Sequence, residues 1–154
     1  MKRFFFDCGT RDGLASTGLL IARLGFGLMM LIGHGWPKIA MFDDAKDGWT
    51  VPEIWPLSLM SPPVSMIATI FAELGCAALI VIGLATRPAA FVLAFTMVVA
   101  AFQVQAGNPI FVPAEGAREP ALMYLTAFVV LIVSGAGKWS LDSRLYKEKR
   151  RRFF

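Results

Sequence analysis

Two charged residues, Arg23 and Glu73, stand near the middle of apolar stretches long enough to cross a membrane. A charge at the bilayer centre costs at least about 2.5–3.5 kcal/mol, so it persists where it is paired or lines a polar cavity. Arg23 lies about nine residues into its stretch and Glu73 about nine into the next, which runs the opposite way; at 1.5 Å per residue each depth is roughly 14 Å. In a hydrocarbon core about 30 Å thick these depths nearly coincide, so an Arg23–Glu73 ion pair is expected. Such a pair either organises a polar pocket for a redox carrier or small ligand, or clamps two helices in register without chemistry. The spacing leaves both readings open.

Gly27, Met30 and His34 follow Arg23 on one helical face, leading to a cluster of His34, Trp36 and Lys38. Histidine changes charge near neutral pH, so His34 is the candidate for proton transfer or for binding a quinone carbonyl. As the single histidine of the chain it rules out a multi-histidine metal centre, and no metal site is expected. The competing reading is an interfacial His that only packs and hydrogen-bonds beside a tryptophan belt.

The elements that must position these groups are membrane spans. The chain has 154 residues, 56% hydrophobic and 17% charged, with a mean hydropathy of +0.62, and reads as one domain over 1–154. Its pI near 9.4 comes from basic residues that flank apolar runs, which fits membrane orientation and gives no nucleic-acid-binding domain. Four spans are expected, at about 14–36, 64–84, 88–105 and 120–137, the third being the shortest. Pro37 is expected to stop the first, and Pro63, Pro88 and Pro120 fall in first turns, where a helix tolerates proline. The first run exceeds a signal-peptide core and carries Arg23, so it is expected to remain as a span.

Lys2, Arg3, Arg11, Arg87, Lys138, Arg144, Lys147 and Lys149 to Arg152 fall on one side, against Lys38, Lys46 and Arg118 on the other. The positive-inside rule then puts both termini in the cytoplasm of a bacterial-type inner membrane. Ala68, Ala72, Gly75 and Cys76 give span two a small-residue surface suited to close helix packing. Cys8 and Cys76 lie too far apart for a thiol relay. Ser140 is placed to cap a short interfacial helix in which Leu141 and Leu145 share a face, with a basic tail to residue 154. The outer loop with Trp49, Pro52, Trp55 and Pro56 is apolar enough to fold back as a cap. There is no P-loop, dinucleotide fingerprint, haem-attachment motif or internal repeat.

The run Arg23-Leu24-Gly25-Phe26-Gly27 with His34-Gly35 and Lys38 resembles the first-helix signature of the DoxX/DoxD-like membrane proteins. Ala72-Glu73-Leu74-Gly75, Gly83 to Arg87, Glu119 and the stretch Gly135 to Asp142 are similar to that family's later motifs, over roughly residues 15 to 145. The resemblance implies a four-transmembrane-helix bundle with Arg23, His34, Lys38, Glu73 and Glu119 as its polar positions. It also implies a subunit of quinone-linked sulfur oxidation, or a membrane partner of redox and detoxification enzymes. Phe102-Gln103-Val104-Gln105 departs from it, where a histidine is expected in many members.

Two functions stand side by side. In one, the protein is a quinone-interacting subunit of an oxidoreductase system, with Arg23, Lys38, Glu73 and Glu119 shaping the pocket and His34 exchanging protons. In the other it is a scaffold or small-molecule carrier whose charged pair is structural. With no recognisable redox centre or covalent cofactor in the chain, electron transfer would use a bound quinone or a partner protein. A homo-oligomer is compatible with either.

Overall fold

A computed structural model describes residues 7–111 and 117–145. All regular elements among them are helical. Three helices are long and apolar enough to cross a membrane: α1 (Gly13–Ala40), α2 (Pro62–Ile82) and α3 (Thr86–Val104). A shorter apolar helix, α4 (Glu119–Ser134), packs chiefly on α3. A five-residue helix, α5 (Leu141–Leu145), follows. Residues 7–12, the α2–α3 turn and the stretch from Gly135 meet at one end of the bundle, here called the terminal end. The connections after α1 and α3 lie at the other, the loop end.

Two expected boundaries are corrected. Pro37 does not stop the first span, which continues to Ala40. A π-helical turn over Leu31–Gly35 precedes the proline, which then sits in the first turn of the resumed α-helix (Trp36–Ala40), where a missing N–H costs little. The shortest apolar helix is α4, with 16 residues against 19 for α3. Gly135, at φ +77°, ends α4 early and turns the chain across the terminal end. Ser140 caps α5 as expected, its Oγ accepting from Ser143 N at 3.1 Å, and Leu141 and Leu145 are exposed. The basic tail from Lys147 lies outside the described residues.

The register of α1 against α2 is set by glycines. A Cβ on Gly35 would stand 2.8 Å from the Glu73 carbonyl oxygen, and one on Gly27 would stand 2.8 Å from Val81 Cγ2. In lipid, helices associate through packing, and absent side chains let backbones approach. Of the small residues expected at the interface, Ala72 and Cys76 are buried and Ala68 is exposed. Met30, Ala77, Ile80, Leu93, Met97, Phe128 and Leu131 fill the core behind this contact. At the loop end, Arg118 donates to the carbonyls of Ala106 and Asn108, closing the α3–α4 connection on itself.

Gly35→Ala is therefore expected to cost about 1–3 kcal/mol through overpacking. Gly33→Ala, where a Cβ meets nothing within 4 Å, should be tolerated. Thermal unfolding of both variants in detergent checks this; equal melting points would contradict the tight crossing.

Candidate functional site

Arg23 and Glu73 do not pair. In an α-helix each Cα–Cβ bond leans toward the N-terminus. The N-terminus of α1 lies at the terminal end and that of the antiparallel α2 at the loop end, so the two side chains diverge. The register adds to this: Arg23 lies against Gly83, ten residues along α2 from Glu73, or about 15 Å of helix.

Arg23 is only 1% exposed, and its Nη2 donates to the Trp139 carbonyl at 2.7 Å. Gly83, at φ +70°, must be glycine, because a Cβ there would collide with the guanidinium. Beside it Asp142, also buried, accepts from Ala85 N at 2.8 Å and Thr86 N at 3.0 Å, while its own N–H donates to the Gly83 carbonyl at 2.9 Å. A carboxylate from beyond α4 thus caps the orphan amides that open α3. Gly137 N donates to the Cys8 carbonyl at 2.7 Å and Lys138 N to Ser16 Oγ at 3.0 Å, so the same stretch also fastens the N-terminal residues. Cys8 is buried there, and desolvation pushes its thiol pKa up. This end is a structural buckle.

Glu73 pairs instead with Lys38, Nζ to Oε2 at 2.5 Å. The sequence brought Lys38 into the pocket but paired Glu73 with the wrong cation. Lys38 Nζ also donates to the His34 carbonyl at 3.3 Å and lies 5.9 Å from the centre of the Trp49 ring. The His34 ring meets Tyr124 edge-on at 5.4 Å between centroids. These residues line a cavity of about 490 Å³ at the loop end, with Thr69, Gln105 and an apolar wall of Met97, Ala100, Val104 and Ala121. Gln105 Oε1 is buried there and meets no donor among the described residues.

Three helices loosen into π-helical turns at this level, over Leu31–Gly35, Phe71–Cys76 and Ala100–Val104. The first two carry His34 and Glu73. Such turns occur frequently at functional sites because they re-aim side chains without ending the helix.

Of the residues expected in the pocket, Lys38, Glu73 and His34 come together. Arg23 belongs to the buckle, and Glu119 opens α4 half-buried, outside the cavity lining. Sequence reasoning missed Tyr124, Trp49 and Gln105 as cavity residues, and Asp142 as a cap. No cluster of three or more His, Cys, Asp or Glu occurs among the described residues.

The DoxX family model matches residues 18–106, which hold Arg23, His34, Lys38 and Glu73. The chain belongs to the DoxX family. This DoxX protein is similar to a Haemophilus influenzae protein described as uncharacterized, 31% identical over 121 residues, covering 77% of this chain and 84% of the relative. No solved structure matches it significantly. With the family and the apolar helices together, it is a multi-pass membrane protein.

Removing one partner of a buried pair strands the other charge, at a cost of about 3–5 kcal/mol. Lys38→Met should therefore destabilise strongly, while Lys38→Met combined with Glu73→Gln recovers most of the loss. Chemical unfolding of the single and double variants measures the coupling; additive effects would mean that the pair is not formed.

Proposed function

We propose that this DoxX protein is a quinone-interacting membrane subunit of a redox or detoxification system, with the loop-end cavity as its quinone site. The observation that carries this reading is an aromatic-walled cavity of about 490 Å³ holding a neutralised Lys38–Glu73 pair. That volume falls within the roughly 300–1,000 Å³ of small-molecule sites. An internally balanced pair favours a neutral ligand over an anion or cation.

The donor set suits a quinone ring. An ammonium has three N–H donors; Lys38 Nζ donates to the His34 carbonyl and is ion-paired with Glu73, which leaves donor capacity for a ligand carbonyl. The Tyr124 and Trp49 rings offer flat apolar walls. Gln105 Oε1, buried without a donor, suits the hydroxyl that a carbonyl becomes on reduction. A bound quinone would supply the electron-accepting chemistry that the chain lacks. His34, open on the cavity, is the residue to give or take protons.

In this reading the electrons come from a partner protein, and the protein sits in a bacterial-type cytoplasmic membrane with its basic terminal end inside. Lys138 and Arg144, both exposed at that end, support the orientation. The cavity then faces outward.

Organic extraction of the purified protein followed by mass spectrometry tests the reading. Near-stoichiometric quinone is expected in the wild type, with loss in the Lys38→Met/Glu73→Gln double variant at a stability close to wild type. No quinone in the wild type, and no binding of an added short-chain quinone, would favour the scaffold or carrier reading.

A further inference from the structure

The side chain of Gln103 points to a role that the cavity lining alone does not reveal. It projects from the π-helical turn of α3 and holds the loop that follows α1 at two points: Nε2 donates to the Val51 carbonyl at 2.7 Å, and Oε1 accepts from Glu53 N at 3.1 Å. A carbonyl can only accept and a backbone N–H can only donate, so this pair of partners fixes which way the amide faces. The same loop is fastened from α2, where Ser65 Oγ donates to the Thr50 carbonyl at 2.6 Å. Just before these points stands Trp49, whose indole N–H donates to Thr69 Oγ1 at 3.3 Å and whose ring faces the Lys38 ammonium.

We propose that residues 49–53 form a roof over the cavity and that Gln103 is its positioning residue, setting Trp49 against the Lys38–Glu73 pair and so controlling entry. This rests on the cavity being a ligand site. Three features support it. The fastenings come from two different helices and close on Thr50, Val51 and Glu53 of one short loop. These three clasps each join a side chain to a backbone group, and the Trp49–Thr69 bond joins two side chains, so the loop is held without an apolar core of its own; Thr50 and Glu53 are exposed and Trp49, Val51 and Pro52 are half-buried. Gln103 does not line the cavity, so its effect on a ligand runs through the loop.

The clasp also explains the chemistry of position 103. A carboxamide presents a donor and an acceptor side by side on a neutral group. Glutamate in its place keeps the acceptor for Glu53 N and loses the donor to Val51, so one side chain separates the two halves of the clasp.

The test uses full-length protein in which Trp36, Trp55 and Trp139 are replaced by Phe, leaving Trp49 as the sole tryptophan. Acrylamide quenching of Trp49 reads the roof, and titration with a short-chain benzoquinone reads the cavity. Gln103→Leu is expected to raise the quenching constant at least twofold and to speed quinone entry and release, with the melting temperature held near that of the parent. Gln103→Glu should fall between. If Gln103→Leu fails to fold, Gln103→Glu carries the same test by removing the donor to Val51, and Ser65→Ala, at a residue that itself lines the cavity, reads the roof through Trp49 quenching alone. Unchanged quenching in the folded variants would overturn the roof. Increased quenching with unchanged quinone kinetics would overturn the control of entry. Absence of quinone binding in the parent would instead overturn the quinone reading, with the quenching result still deciding whether the loop is a roof held by Gln103.

Discussion

The close crossing of α1 and α2, backbone against backbone at Gly35 and Glu73 and backbone against the Val81 side chain at Gly27, fixes where the buried Arg23 and Glu73 stand. A bilayer offers no water to a stranded polar group, so a charge there depends on partners within the protein. Once that register is set, Arg23 reaches the terminal end and Glu73 the loop end, and one imagined ion pair becomes two separate clusters. The direction in which helical side chains lean makes the separation larger, because the two helices are antiparallel.

The two clusters have different characters. At the terminal end the charged groups close on backbone: Arg23 Nη2 on the Trp139 carbonyl and Asp142 on the first amides of α3, with Arg23 Nε and Nη1 buried and without a hydrogen-bond partner among the described residues. The packing there is too close for a Cβ at Gly83. At the loop end a salt bridge balances itself beside open space, with aromatic rings and a loop roof around it. A clamp and a pocket had seemed competing explanations of one charged pair. The protein has both, about 15 Å apart along α2.

Much of this was legible in the sequence. Long apolar runs, prolines in first turns and glycines past helix ends gave the helical architecture to within a few residues. Periodicity placed His34 and Lys38 on the line leading away from Arg23, and both lie at the cavity. The error at Arg23–Glu73 has a physical source: counting each depth from the start of its own span treats α1 as beginning level with the end of α2, whereas Arg23, ten residues into α1, already lies against Gly83 just past that end. Nor do residue types announce the π-helical turn that carries α1 past Pro37. Asp142 escaped notice because its cap closes on amides 56 and 57 residues earlier in the chain. Tyr124 reads from sequence as one more aromatic in an apolar helix, and only its position beside His34 gives it meaning.

The most direct test of this account is the infrared carboxylate band of Glu73 in the membrane-reconstituted protein, identified by its disappearance in Glu73→Gln. The account predicts that the band shifts when Lys38 is replaced by Met and stays in place when Arg23 is replaced by Met. A band that responds to Arg23 and ignores Lys38 would restore the mid-membrane pair and contradict the division of the bundle into a buckle and a pocket.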